Sequence, residues 1–572
     1  MNLKNVIACA RGDMPSDILF TNTRIVNVFS GEIVPGSIAV YNGAIVGIGE
    51  YPAKAVLNMN GMFAAPGFID AHVHIESALT GISQFARAVI PHGTTTVVAD
   101  PHEIANVLGI PGIQYMLDSS ENQPMNIYFT MSSCVPATVM ETSGASLGPD
   151  DIRSMLNHDR IVGLAEMMNY PGVIFRDGTV LSKIEAAHQL HKRVDGHAPG
   201  LTGPDLNAYL SAGITSDHEC TTLAEATEKL RSGMHIMIRE GSGAKNLDTL
   251  LPLVSPLTAH RLMWCTDDRN PHHLIGEGHI DSMIRRAIQS GLDPIIAIQM
   301  ATLHPAGYFG LHHLGAIAPG RQADLVFFSD LEHLFAEVVY CRGVAVAQNG
   351  KMDAAITPPM ELTVPSSMNV RMDSLDFSIP AEGETIRIIE IVPDQIMTGS
   401  RMERARIDQG NVVSDISRDI LKLAVVERHH QTGNIGKGFV RGFHLKQGAI
   451  ATSIAHDSHN IIVVGVSDAD MRIAVDSVIQ MGGGIAVVKD GSSVEKLPLP
   501  IGGLMSTEPL EQVETCLNRL IAASRTLGCL LGDPFMTLSF LALPVIPELK
   551  LTDKGLVNVL EFKPVSLFPS AL

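Results

Sequence analysis

The 572-residue sequence predicts an α/β protein built around a (β/α)8 TIM-like barrel, and two observations support this fold class. Eight short apolar runs alternate with segments of helical periodicity over about 250 residues. Nearly every run ends in an ionisable or metal-binding residue, as expected where the carboxyl ends of barrel strands meet at one mouth. The runs are 68–72, 95–99, 127–132, 161–166, 194–197, 214–218, 235–239 and 262–267.

Runs rich in β-branched residues precede the barrel segment and return after it. The first group lies within residues 17–50, where Gly, Asn and Pro separate the runs, and the second begins at Gly315. Such runs favour strands joined by tight turns. We therefore expect one small flanking β-domain formed by residues 1–64 and 316–356, with the barrel, residues 65–315, inserted between its two parts.

The last third of the chain is predicted to form a separate domain. Residues 357–379 are rich in Pro, Ser and Met, which is typical of a linker. Residues 380–572 carry further β-like runs and two glycine-rich turns, and we expect them to form a C-terminal α+β domain. Neither turn is followed by the Gly-Lys-Ser/Thr sequence of a phosphate-binding loop.

Charge and cysteine usage limit the classes of partner. A formal net charge of -19 argues against nucleic acid, because phosphate binding needs clustered Lys and Arg. Seven cysteines without a Cys-x-x-Cys pair fit free thiols in a reducing compartment. No apolar run has the length of a signal peptide core or a membrane span. We expect a cytoplasmic protein with a small-molecule substrate, no nucleic acid or membrane partner, and a homodimer as the default assembly.

The first predicted barrel strand carries a His-x-His pair. His72 and His74 are two residues apart on an extended segment, so their imidazoles point to the same face and can bind one metal ion. The pair alone is weak evidence for a metal site, because two half-buried histidines near a loop would give the same sequence pattern. Four further candidate ligands lie at the ends of later runs, in an order along the chain that allows them to complete the metal site. They are Glu166, His197, His218 and Asp267.

Two divalent metal ions that share a bridging carboxylate and a bridging hydroxide would use all six side chains. Imidazoles and carboxylates without a thiolate suit Mn, Fe or Zn. Asp267 is placed both to bind a metal and to accept a proton as the catalytic base. Glu166 could bridge the metals or carry the proton itself, and the sequence leaves both roles open.

The ligand order resembles that of the amidohydrolase superfamily of barrel metallohydrolases. Within that superfamily several stretches resemble the adenine deaminases, and the similarity extends over essentially the whole chain, including the C-terminal domain. These stretches are residues 66–77, 100–104, 132–137, 163–173, 237–242, 265–271 and 456–460. Many relatives in the superfamily use a carboxylated lysine at strand four, where this chain offers Glu166.

This resemblance implies hydrolytic deamination of adenine to hypoxanthine and ammonia, in purine salvage, by a metal-bridged hydroxide that attacks C6. It also implies two metal ions as cofactors, with Mn(II) or Fe(II) favoured over Zn(II). Two alternatives stay open on the residues alone. One is an amidohydrolase that acts on another cyclic amidine or a lactam, and the other is a non-catalytic barrel that serves as a scaffold or binding module.

Residues just past the barrel strands are candidates for binding the purine by its ring nitrogens, although loop capping and salt bridging would explain them equally well. They are Glu76, Ser77, Asp100, His102, Glu103 and Arg239. In the C-terminal domain, His456 and His459 are three residues apart. They could bind a metal or close the barrel mouth, or they could belong to a polar turn before a strand.

Overall fold

The structure is a computed structural model that describes residues 2–353, 362–393 and 395–569. Residues 354–356 of the predicted β-domain and 357–361 of the predicted linker lie outside the described residues. The rest of the predicted linker, residues 362–379, has one short 3-10 turn, Met372–Ser374, and is otherwise irregular.

The chain begins with one helix and five strands. The first strand carries two apolar runs, residues 18–20 and 25–26, with a register shift against the second strand between them. The elements are α1 (Leu3–Ala10), β1 (Ser16–Asn27), β2 (Glu32–Tyr41), β3 (Ala44–Ile48), β4 (Ala53–Asn58) and β5 (Phe63–Pro66).

Eight parallel strand positions follow, and the eighth is split in two. Their residues are almost all buried, as in a sheet covered on both faces. The strands are β6 (Phe68–His74), β7 (Thr94–Ala99), β8 (Asn126–Met131), β9 (Ile161–Met167), β10 (Arg193–Gly196), β11 (Ser216–Asp217), β12 (His235–Arg239), β13 (Leu262–Cys265) and β14 (Asp267–Asp268).

Helices in this segment alternate with the strands, which is the connection that parallel strands require. They are α2 (Ile82–Val89), α3 (His102–Leu108), α4 (Ile110–Ser119), α5 (Pro149–Met155), α6 (Tyr170–Ile174), α7 (Gly178–Gln189), α8 (Gly203–Ser211), α9 (Leu223–Arg231), α10 (Leu247–Leu250), α11 (Pro271–Gly276), α12 (Ile280–Gln289), α13 (Pro294–Met300) and α14 (Leu303–Tyr308).

The parallel strands close into a ring. One arc has the order β10-β9-β8-β7-β6-β14 and the other has the order β11-β12-β13. At one junction the backbone N–H of Thr215 donates to the carbonyl of Val194 at 3.1 Å. At the other junction β14 pairs with β6, with Asp267 opposite Val73. The predicted TIM-like barrel is therefore confirmed.

Four strands after the barrel return to the first sheet. They are β15 (Leu325–Phe328), β16 (Val338–Cys341), β17 (Val344–Gln348) and β18 (Lys351–Met352). β15 pairs antiparallel with β5, so strands from both sides of the barrel share one nine-stranded sheet. Phe20 of β1 packs against Phe327 and Tyr340 with ring centroids 5.2 and 4.8 Å away. The exact domain boundaries stay predictions.

The C-terminal region is built on an eight-stranded sheet of order β20-β19-β24-β23-β26-β25-β27-β28, with smaller sheets of two and three strands beside it. Its strands are β19 (Thr385–Ile391), β20 (Thr398–Arg404), β21 (Arg406–Asp408), β22 (Asn411–Val413), β23 (Leu421–Val426), β24 (Ile435–Arg441), β25 (Ala449–Thr452), β26 (Ile461–Gly465), β27 (Gly484–Lys489), β28 (Ser492–Pro498), β29 (Leu549–Thr552), β30 (Gly555–Asn558) and β31 (Lys563–Val565). Its helices are α15 (Asp468–Gln480), α16 (Leu510–Thr526) and α17 (Pro534–Ser539).

The C-terminal region packs directly against the barrel. Ile501, Leu504 and Met505 are buried in the same apolar cluster as the barrel strands. The loop between β25 and β26 reaches the carboxyl ends of those strands, where His459 contacts Glu103. The mouth of the barrel is therefore covered by residues from the last third of the chain.

Among the described residues, no helix combines the length and the apolar character needed to cross a membrane.

The aromatic cluster of the nine-stranded sheet gives a test of its shared construction. Phe327 is fully buried, so we expect Phe327→Ala to lower the free energy of unfolding by about 3–5 kcal/mol. Phe175 is 78% exposed, and Phe175→Ala should change it by less than about 0.5 kcal/mol. Urea denaturation followed by circular dichroism measures both variants. Equal stability of the two would contradict the packing described here.

Candidate metal centre

The six predicted metal ligands come together at the carboxyl ends of the barrel strands. His72 and His74 end β6, and their Nε2 atoms are 3.2 Å apart. Both side chains lie on one face of the strand, as the two-residue spacing predicts. The other four reach the same point from β9, from the ends of β10 and β11, and from β14. They are Glu166, His197, His218 and Asp267.

Glu166 lies at the centre of the cluster. Its Oε1 atom is 3.3 Å from His74 Nε2 and 3.8 Å from His72 Nε2. Its Oε2 atom is 2.6 Å from His197 Nδ1 and 3.2 Å from His218 Nε2. Oε1 is also 3.3 Å from His102 Nδ1, so the two carboxylate oxygens face different groups of imidazoles.

Asp267 faces His72 and His74. Its Oδ1 atom is 3.0 Å from His74 Nε2 and 3.4 Å from His72 Nε2, and its Oδ2 atom accepts a hydrogen bond from Arg239 at 2.6 Å. The predicted run 262–267 is interrupted between β13 and β14, and Asp267 has a φ of 57°. Non-glycine residues in this left-handed region are uncommon and cluster at functional sites. The break turns the Asp267 carboxylate into the mouth.

The electrostatics of the cluster favour ionised carboxylates. Burial alone would raise the pKa of Glu166, but the surrounding imidazoles, His197 foremost, hold it well below its usual range. Burial opposes protonation of His218, yet its contacts with Glu166 and Asp267 raise its pKa to about 9. Protons and a metal ion would compete for the same imidazole nitrogens.

This donor set fits divalent transition metals. Buried carboxylates are paired or coordinate metals, and imidazole with carboxylate suits Mn, Fe and Zn. The Nδ1 atom of His74 lies 3.0 Å from the backbone carbonyl of Asp100, which orients the ring and leaves Nε2 for an ion. The residues present fit a site for divalent metal.

Glu219 was missed by the sequence reasoning. Its Oε1 atom is 3.7 Å from His197 Nδ1 and 3.5 Å from His218 Nε2, and its Oε2 atom accepts a hydrogen bond from Arg239 at 3.1 Å. The available signal was its position directly after a ligand histidine at a strand end. Arg239 joins Glu219 to Asp267 and so links the two sides of the cluster.

A cavity opens over the cluster. Three of the predicted substrate-binding residues, His102, Glu103 and Arg239, line it together with five of the six ligands, all but His72. The C-terminal region supplies an apolar wall that the sequence did not reveal. That wall is formed by Ile396, Phe540, Leu543 and Ile546.

The other predicted substrate-binding residues lie elsewhere. Asp100 is buried behind His102, with Oδ2 2.9 Å from His102 Nδ1, and it orients that ring. Glu76 and Ser77 line a neighbouring cavity, which His456 and His459 also line. Asp100 is not among the described residues that line the cavity over the cluster.

The fold and the site together define a barrel hydrolase of the metal-dependent amidohydrolase class. The model of the amidohydrolase family matches residues 63–357, which is more than half of the chain. A second model, described as the adenine deaminase C-terminal domain, matches residues 395–563.

Similar proteins cover almost the whole chain. An adenine deaminase of Desulfatibacillum aliphaticivorans is 54% identical over 98% of this chain and 99% of its own length. One of Methanothrix thermoacetophila is 51% identical over 99% and 100%, and one of Dehalococcoides mccartyi strain 195 is 48% identical over 98% of each. The chain belongs to the adenine deaminase family within the amidohydrolases.

Metal binding should weaken as the pH falls. In the ion-free protein the pKa of His218 is about 9, so its imidazole carries a proton at pH 7 that a metal ion must displace. The affinity for Zn(II) should rise about tenfold per pH unit for each displaced proton between pH 6 and 8. Competition with a calibrated chromophoric chelator measures this dependence. A pH-independent affinity would contradict the account of the cluster.

Proposed function

We propose that this protein hydrolyses adenine to hypoxanthine and ammonia. The observation that carries the proposal is the convergence of four imidazoles and two carboxylates in one buried mouth that opens into a cavity. Relatives named adenine deaminase, matched over nearly their full length, give the substrate.

We further infer that the centre holds two divalent ions, with Mn(II) or Fe(II) favoured and Zn(II) as the remaining option. His72, His74 and Asp267 would hold one ion, and His197 and His218 would hold the other. Glu166 supports this division, because each of its oxygens faces one set of imidazoles. When bound, such ions lower the pKa of water and so supply a nucleophile at neutral pH.

Asp267 is the proposed proton carrier. In the reaction, water adds to C6 of adenine, N1 gains a proton, the C6–N bond breaks, and the amine leaves with a further proton as ammonia. A carboxylate beside the reacting water can accept its proton and deliver it to the leaving group. The hydrogen bond from Arg239 to Asp267 Oδ2 fixes the carboxylate and leaves Oδ1 facing the ligands. Glu166 is the alternative carrier.

The apolar wall is suited to a flat purine. Phe540, Leu543 and Ile546 line the same cavity as the ligands, so a planar base could pack against them while its polar edge faces the barrel. His456 stacks on Phe540 with ring centroids 4.4 Å apart and an interplanar angle of 16°. The C-terminal region would therefore bind the base and exclude bulk water from the reaction.

We also propose a pathway, a compartment and an assembly for this protein. We place the reaction in purine salvage in the cytoplasm, and all seven cysteines are free, which supports a reducing compartment. A homodimer is the default assembly for an enzyme of this kind.

Two variants test the carboxylates, and bound metal is counted in both because Asp267 as well as Glu166 is a proposed ligand. With Mn(II)-loaded protein, we expect Asp267→Asn to lower kcat for adenine by about 10²–10⁴-fold, since a positioned base is lost. Glu166→Gln should lose bound metal as well as activity, because it faces four candidate ligands. The assay follows the absorbance change from adenine to hypoxanthine together with ammonia release, and plasma mass spectrometry counts the metal.

The matched control is Asp205→Asn, which alters an exposed aspartate on α8 and should leave both readings unchanged. Full turnover by Asp267→Asn would remove Asp267 from the mechanism. A metal-loaded wild-type protein that leaves adenine intact would overturn the proposed function itself.

A further inference from the structure

Three buried side chains meet outside the Glu166 cluster, where the barrel touches the C-terminal region. Glu103 belongs to α3, and His456 and His459 lie in the loop between β25 and β26. His456 Nδ1 is 2.9 Å from Glu103 Oε1, and His459 Nε2 contacts the other oxygen, Oε2, of the same carboxylate. The three residues are 5% exposed or less. Three nitrogen and oxygen donors therefore converge from two parts of the chain.

Two carboxylates beside this trio have an oxygen without a hydrogen-bond partner. Glu76 is 3% exposed and lines the same cavity as all three residues, and its Oε2 atom has no hydrogen-bond partner. The Oδ2 atom of buried Asp457 is also without a partner. Within the described residues, no Lys or Arg side chain forms an ion pair with Glu76, Glu103 or Asp457. An ionised carboxylate is costly to bury unless it is paired or bound to a metal.

We propose that Glu103, His456 and His459 form a third site for a divalent metal ion. Two imidazoles and one carboxylate are a donor set that zinc accepts in proteins, with a fourth position left for another ligand. The unpartnered oxygen of Glu76 faces the same cavity and supplies a candidate for that fourth position. The ion would balance the charge of Glu103 and of the neighbouring Glu76 and Asp457 carboxylates.

This site shares no donor with the six ligands of the Glu166 cluster. His102 connects the two, because its Nε2 atom is 3.3 Å from Glu103 Oε1 and its Nδ1 atom is 3.3 Å from Glu166 Oε1. An ion at the third site would hold the loop of His456 to α3 of the barrel. Since His456 stacks on Phe540, the ion would also fix the apolar wall over the mouth. It has a positioning role and does not itself contact the reacting atoms.

The test is a count of bound metal in the full-length protein after equilibration with Zn(II) and removal of free ion. We expect three equivalents per chain for the wild type and two for His459→Gln, a loss of one. Glu103→Gln, which keeps the side-chain size and removes the charge, should also lose one equivalent. His444→Gln is the matched control, because His444 is half-exposed, pairs with Asp419 and lies in the same domain, and it should retain three.

A second measurement uses the wild-type protein, so it does not depend on whether a variant folds. Anomalous diffraction at the zinc edge from crystals of the wild type should place a peak within about 2.0–2.2 Å of donors from Glu103, His456 and His459. A wild type that binds only two equivalents, or a map without that peak, would overturn the third site. Two equivalents with full adenine turnover would reject this site alone. Three equivalents without turnover would reject the proposed deaminase function and keep the site.

Discussion

The structure depends on one buried carboxylate. Glu166 lies within 2.6–3.8 Å of five imidazoles, and its two oxygens face different groups of them. Those imidazoles belong to His72, His74, His102, His197 and His218. Ionised carboxylates are costly to bury unless they are paired or bound to metal, so this arrangement is stable only if every partner is in place. The barrel meets that requirement by bringing the ends of separate strands to one point.

The rest of the molecule fixes and covers this cluster. Arg239 holds Asp267 and Glu219 in position from the end of β12, and Asp100 orients His102 from behind. The C-terminal region then closes the mouth with an apolar wall, which leaves a small cavity above a strongly polar floor. A reaction of a flat, polar heterocycle with an activated water needs both surfaces, and in this chain they come from different domains.

Much of this could be predicted from the sequence, because the signal was local. Strand ends are visible where an apolar run stops, and a ligand such as His218 or Asp267 stands there. The order of these residues then identified the candidate cluster. Glu219 followed the same logic, yet it was overlooked because the histidine beside it already explained the strand end. The split after Cys265 depends on Asp70, which accepts hydrogen bonds from the backbone N–H and the hydroxyl of Thr266.

The contacts between domains could not be predicted in this way. Phe540 is separated by hundreds of residues from the ligands it faces, and a buried phenylalanine in a C-terminal helix gives no sign of what it covers. His456 and His459 stood out as a pair, but their partner Glu103 could be found only in the folded chain. Periodicity reports burial and strand direction, whereas the pairing of two domains depends on surfaces that no single segment encodes.

We propose that six side chains hold a pair of metal ions. They are His72, His74, Glu166, His197, His218 and Asp267. X-ray absorption at the metal edge of the Mn(II)-loaded protein tests it most directly. The account predicts a first shell of nitrogen and oxygen only, with a metal neighbour at about 3.5–4 Å. A spectrum with sulfur in the first shell, or without any metal neighbour at that distance, would contradict it.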